Sequence, residues 1–180
     1  EGQELLDKLQ LVEILEKIGP TFVGGSFRTG LMTWRDIDIE VLVPKIEKED
    51  AKKVIDQIIN KSLRRIDFSV VDNTDRMEPH HPDGLYLGIR YDLDAETRWK
   101  IDVWFVVRDE FPSQKDTLER EKKLTDELRL IILEIKNQIA DNPRYRKMVY
   151  STDIYDAVLE NNVKNLEEFK AYLKKIGKEL

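Results

Sequence analysis

The stretch VGGSFRTGLMTWRDIDIEVLV, from Val23 to Val43, places two glycines and a serine ahead of a short segment. It then sets acids at alternate positions in an apolar run. Asp36, Asp38 and Glu40 alternate with Ile37, Ile39 and Val41. Side chains two apart on a strand share a face and lie about 7 Å apart along it. The spacing therefore predicts a strand over 36–43 whose apolar set packs into a core while the acids face elsewhere. Two like charges at that separation repel by roughly 2 kcal/mol at an effective dielectric of about 20. Burial adds a desolvation cost, and Asp is among the poorer strand formers. Strand stability gives no reason for this pattern. The acids need cations: solvent and salt at an exposed face, Lys or Arg partners, or bound metal.

The segment RWKIDVWFVV (98–107) bears on that choice. Ile101, Val103, Phe105 and Val107 form one face; Lys100, Asp102 and Trp104 form the other. If this strand lies beside 36–43, Asp102 converges with Asp36 and Asp38, and Lys100 is expected to neutralise Glu40 deeper in the sheet. Three convergent carboxylates are hard oxygen ligands of the kind that suit Mg²⁺, which is often shared with substrate phosphates. Two such ions clamp an in-line phosphoryl displacement. For Asp36 and Asp38 alone, a solvated strand face is the plainer alternative.

The residues before the strand weigh against that alternative. Gly24, Gly25 and Ser26 follow a short strand and open a helix predicted to run to about Met32, with Ser26 as its N-cap. Glycine lets backbone approach an anion closely, and a helix start offers free N–H groups. The turn is a candidate phosphate cradle, although it lacks the Gly-Lys-Ser/Thr pattern of a P-loop. Arg28 is placed to reach a phosphate oxygen, or to remain a solvated first-turn residue.

Composition bounds the rest. The chain has 180 residues, 41% apolar and 37% charged, with a net charge of −6 and no cysteine. That suits a folded domain of ordinary core size and excludes disulfides and thiolate metal sites. The opening EGQELLDKLQ lacks a basic-then-apolar pattern, so no secretory signal is expected, and no apolar run approaches a bilayer span. A cytoplasmic protein without a membrane partner is expected. The acidic balance, with Lys and Arg interleaved among acids in EREKK and LKKIGKEL, argues against a nucleic-acid partner.

Periodicity predicts a helix over 3–18, a short strand at 21–23 and a helix over 48–61. Three further strands lie in RRIDFSVVD, GLYLGIRYD and RWKIDVWFVV. DNTDRMEPHHPDG reads as a loop, and its His80-His81 pair as loop residues rather than ligands. Asp92 and Asp94 in RYDLD read as a strand end. Trp34, Trp99 and Trp104 flank the acids, either packed at the sheet or offering a surface for a base. After Pro112 no strand pattern remains. A long helix ends at Asn142-Pro143, and two shorter helices at 153–161 and 166–176 start at Asp153 and Asn165. The organisation is an α+β core over residues 1–110, followed by a helical segment over 111–180 expected to pack on it.

Gly25-Ser26, nine residues, Asp36-Ile37-Asp38 and the later strand acid Asp102 in KIDVWF together resemble the polymerase-β-like nucleotidyltransferase superfamily. The match covers roughly residues 20–107. The resemblance implies a small mixed β-sheet with helices packed against it, two Mg²⁺ ions and a nucleoside triphosphate, with ATP the expected donor. It implies transfer of a nucleotidyl group to a hydroxyl of a small-molecule or protein acceptor. Gly25, Ser26 and Arg28 would bind the triphosphate; Asp36, Asp38 and Asp102 would hold the metals and carry the catalysis. Glu40 is outside the family pattern: either Lys100 pairs with it or it approaches the metals. The C-terminal helices are similar in placement to those of small antibiotic-modifying and minimal antitoxin-type members. A catalytically silent nucleotide-binding or interaction module on the same fold is the alternative. Oligomeric state is not legible.

Overall fold

A computed structural model of the chain describes residues 1–61, 64–74 and 82–180. The expected loop histidines, His80 and His81, lie outside the described residues. Two compact units emerge, one of residues 1–28 and 34–117, the other of residues 29–33 and 118–180.

The first unit is built on a five-stranded mixed sheet. Its strands are β1 (Thr21–Val23), β2 (Asp36–Leu42), β3 (Ile66–Asp72), β4 (Leu85–Asp92) and β5 (Arg98–Val106). They lie in the order β1-β2-β5-β4-β3. Only β2 and β5 run parallel among neighbours; the other three pairs are antiparallel. One face of the sheet is mainly apolar, with Thr21 and Asp72 at its edge strands. Ile37, Ile39, Val41, Leu85, Leu87, Ile89, Ile101, Val103 and Phe105 are all buried there. The alternation that puts them on that face leaves Asp36, Asp38, Glu40, Tyr86, Gly88, Arg90, Lys100, Asp102 and Trp104 on the other.

Helices α1 (Gly2–Leu9), α2 (Leu11–Glu16) and α4 (Lys48–Ile58) belong to this unit, as does the short α3 (Gly25–Thr29) up to Arg28. The single helix expected over 3–18 is two. Gln10 takes a left-handed conformation, φ 50°, between α1 and α2. In one continuous helix Leu11 and Ile14 would point away from the stripe of Leu5 and Leu9. The break turns them inward, and both are buried. The helix expected from Ser26 to Met32 is α3, shorter and starting one residue earlier, so Ser26 lies inside it rather than capping it.

Helix α5 (Gln114–Lys123) crosses the boundary between the units. In the second unit, α6 (Asp126–Gln138), α7 (Ser151–Asn161) and α8 (Leu166–Lys175) bury Ile132, Ile135, Ile154, Ala157, Val158, Phe169 and Leu173. Asn165 caps α8 as expected: its Oδ1 accepts the Glu168 N–H at 3.0 Å, and Glu168 reaches back to the Lys164 N–H at 2.9 Å. Asp153 does not cap α7. It sits three residues in and accepts the Tyr150 N–H at 2.8 Å. Residues 29–33 are held in this unit by α6. Arg129 donates to the Thr29 carbonyl, and the fully buried Lys136 to that of Leu31 at 2.5 Å. No helix among the described residues is long and apolar enough to cross a membrane.

Candidate active site

The parallel register of β2 and β5 sets Asp36 beside Lys100, Asp38 beside Asp102 and Glu40 beside Trp104. Asp36, Asp38 and Asp102 each offer one carboxylate oxygen, all within 4.8 Å of one another. Two neighbouring strands thus gather three acids where a single strand would have spread them along its length.

Asp38 is the most constrained of the three. Burial pushes its carboxyl up from 3.8 to about 7, with Asp36 and Asp102 adding to the rise and Lys100 opposing it. The Gly24-Gly25 turn closes directly on it. Gly24 N–H donates to the Asp38 carbonyl at 2.9 Å, extending the β1–β2 ladder. Gly25 is left-handed, φ 63°, and a Cβ there would overlap Asp38 Oδ2. Only glycine meets both demands. The turn and the acid, read separately in the sequence, form one feature.

Lys100 lies between two of the acids. Its Nζ hydrogen-bonds Asp102 Oδ2 and stands 3.3 Å from Asp36 Oδ1. Desolvation lowers its basicity, but Asp102 and Asp36 outweigh that and hold the ammonium above the ordinary lysine value. This corrects the expected Lys100–Glu40 pair. Glu40 lies four residues along β2 from Asp36, about 13 Å at strand rise, and outside the converging group. Its buried carboxylate instead accepts the Ser113 N–H at 3.2 Å, and burial raises its pKa.

Two residues outside the sequence-stretch motifs join the site from β4. The Tyr86 hydroxyl donates to Asp102 Oδ1 at 2.8 Å, and the Arg90 guanidinium stands 3.5 Å from the same oxygen. Gly88, paired with Asp102, makes this possible: a Cβ there would overlap the Tyr86 ring and hydroxyl. Burial, then Asp102, raises the Tyr86 pKa, which keeps the hydroxyl a donor. The polar positions of GLYLGIRYD carried this signal, but assigning them to Asp102 needs the β4–β5 register.

The remaining sequence candidates are placed as follows. Ser26 lies in α3 next to Gly25. Arg28 packs its guanidinium on the Phe22 ring, 5.2 Å from the centroid, and Phe22 shares the sheet face of Glu40 through their pairing. Trp34 donates its indole N–H to Asp36 Oδ2 at 3.4 Å. Trp104 packs on Tyr86 with ring centroids 5.0 Å apart, and Trp99 is buried on the core face. Asp92 pairs with Arg98 at the strand end, and Asp94 accepts the turn N–H groups of Glu96 and Thr97.

The donor set fits a hard divalent cation. Every converging atom is a carboxylate oxygen, the type that Mg²⁺ selects. Asp36 Oδ1 is buried without a hydrogen bond, its approach to Lys100 being charge contact alone. A metal ion taking that oxygen would give it the bond it lacks and would displace the Lys100 ammonium beside it.

No protein-family model and no curated protein matches the sequence. Solved structures do match. A cytoplasmic RNA terminal U-transferase aligns at TM-score 0.58 and 19% identity, over 88% of this chain and 45% of its own. The Cid1 poly(U) polymerase, with MgGTP bound, aligns at 0.59 and 19% identity, over 87% and 48%. Terminal uridylyl transferase 4 from Trypanosoma brucei, with bound UPU, aligns at 0.56 and 12% identity, over 88% and 51%. This chain therefore spans about half the length of the structures it matches. At these identities the likeness establishes the architecture: the chain has the polymerase-β-like nucleotidyltransferase fold.

Proposed function

We propose that this chain is a nucleotidyltransferase that passes a nucleotidyl group from an NTP to an acceptor hydroxyl and releases pyrophosphate. The observation that carries the reading is the meeting of Asp36, Asp38 and Asp102 within 4.8 Å, beside a glycine turn that closes on Asp38. Those three residues would hold divalent ions, with two Mg²⁺ expected. Bound there, the ions supply charge neutralisation for the triphosphate and the departing pyrophosphate.

The chain's own groups do the positioning. The Gly25-Ser26 turn would bind the β- and γ-phosphates through backbone N–H groups and the Ser26 hydroxyl, with Arg28 as a further phosphate contact. Asp102 would take the proton from the acceptor hydroxyl as its oxygen attacks the α-phosphorus and the bond to the β-phosphate oxygen breaks. Tyr86 and Arg90 fix Asp102 Oδ1, while its other oxygen, Oδ2, holds the Lys100 ammonium, which would have to give way before that oxygen takes the proton. No covalent intermediate with the protein is needed; alignment and charge do the work.

ATP as donor, and a small-molecule or protein hydroxyl as acceptor, complete the proposal. The net charge of −6 supports it over a nucleic-acid acceptor. The matched structures are described as U-transferases and poly(U) polymerases, which makes UTP and an RNA 3′-hydroxyl the second pair to assay. The test is pyrophosphate release with Mg²⁺, each of the four NTPs, and acceptor panels of both kinds. Release that disappears in Asp102→Asn supports the reading; equal release by that variant counts against it. The bridging of Asp36 and Asp102 by Lys100 favours one rival, a catalytically silent module, which predicts no release from any pairing.

A further inference from the structure

Lys100 occupies the position that a cation would take between Asp36 and Asp102. We propose that its ammonium is the site's resident counter-ion, competing with the divalent ion for the same two carboxylates and so weakening metal binding. The inference rests on the metal-binding reading of the triad.

Three observations support it. Geometry comes first: Nζ touches an oxygen of each acid, and the parallel register places Lys100 directly across from Asp36 and two residues before Asp102 on the same face. Second, the fit is incomplete. Asp102 receives a hydrogen bond, but Asp36 Oδ1 is left buried with none. The ammonium has three N–H donors, so the shortfall is one of position: Nζ sits close on Asp102 Oδ2 and stands off Asp36 Oδ1 at 3.3 Å without a hydrogen bond. Third, the lysine can leave. Its side chain is 38% exposed, and a long stem lets the charged head move into water while the methylenes stay packed.

Charge arithmetic points the same way. With all three acids ionised, three carboxylates against Lys100 and Arg90 leave one net negative charge. The triad is therefore tolerable without metal, yet still attracts it. Arg90 adds a second cation at Asp102 Oδ1, 3.5 Å away, but that oxygen is already committed to Tyr86.

The test measures Mn²⁺ affinity by calorimetry, and thermal stability in EDTA, for the wild type and for Lys100→Met, Arg98→Met and Asp38→Asn. Arg98→Met is the control for net charge, because Arg98 is on the same strand but pairs with Asp67 and Asp92. Lys100→Met should bind Mn²⁺ about tenfold more tightly or better, the factor that one charge-assisted hydrogen bond corresponds to, while losing stability in EDTA. The opposite directions are the signature, since a merely structural lysine would lower both. Arg98→Met should change affinity by less than about twofold. Unchanged or weaker Mn²⁺ binding by Lys100→Met, with binding by the wild type and its loss in Asp38→Asn, overturns the competition and leaves the metal site intact. Absence of Mn²⁺ binding from both the wild type and Lys100→Met overturns the metal-binding reading and this inference with it.

Discussion

Asp38→Asn should make the metal-free protein more stable while abolishing its response to metal and nucleotide. The Asp38 carboxyl is raised from 3.8 to about 7 by burial and by Asp36 and Asp102. A raised carboxyl binds its proton in the fold at pH values where the unfolded chain has lost it. Its ionisation therefore costs stability as pH climbs from about 4 to about 7, and the whole cost is present above that. The shift of about three units, at about 1.4 kcal/mol each, sets a ceiling near 4 kcal/mol. Asp38 keeps some solvent contact and Lys100 is near, so about half of that, roughly 2 kcal/mol, is the working figure. Asparagine keeps the shape and removes the charge. For a chain of this size 1 kcal/mol moves Tm by roughly 2–4 °C, so at pH 8 in EDTA the variant should melt about 4–8 °C higher. The gap should shrink as pH is lowered toward 5, where wild-type Asp38 holds its proton in the fold. Added Mg²⁺ and ATP should then raise the wild-type Tm and leave the variant unmoved. A variant melting lower than wild type at pH 8 in EDTA would refute the electrostatic account of Asp38.

Gly25→Ala should cost at least about 1–3 kcal/mol of stability through its left-handed backbone and suppress nucleotide-dependent stabilisation, because its Cβ would overlap Asp38 Oδ2; thermal melts with and without ATP read both. Tyr86→Phe removes the donor to Asp102 Oδ1 and should lower kcat by about tenfold with KM for the NTP little changed, as steady-state pyrophosphate release would show. Glu40→Gln keeps an acceptor for the Ser113 N–H and should be near neutral, whereas Glu40→Ala leaves that donor unsatisfied and should cost about 1–3 kcal/mol in urea unfolding. Lys136→Met, in the second unit, strips the Leu31 carbonyl of its buried donor and should cost a similar 1–3 kcal/mol or so.

The acidic strand was legible because alternation alone sorts its residues into two faces. The opposite polar face of β5 was legible for the same reason, so Asp102 was found with Asp36 and Asp38. What alternation cannot supply is register. Face alone pairs Lys100 with Glu40, and the parallel register moves it to Asp36. Tyr86 and Arg90 needed two registers at once, β4 on β5 and β5 on β2, before either could be linked to the acids. Helical misreadings have local causes. The stripe from Leu5 to Ile18 satisfies a helical period, so nothing in it reveals that Gln10 turns left-handed to bury Leu11 and Ile14. Helix α5 buries only Thr117 and so has no apolar stripe to detect. The permissive backbone of Gly25 suggests a phosphate turn from sequence; that the same glycine makes room for Asp38 Oδ2 follows only from the folded strand.

Anomalous scattering from a crystal grown with Mn²⁺ and a non-hydrolysable ATP analogue tests the central claim most directly. Density for the ion at bonding distance, about 2.2 Å, from carboxylate oxygens of Asp36, Asp38 and Asp102 is the predicted result, with the triphosphate against Gly25 and Ser26. Anomalous density confined to other sites, with Lys100 still joining Asp36 to Asp102, would contradict it.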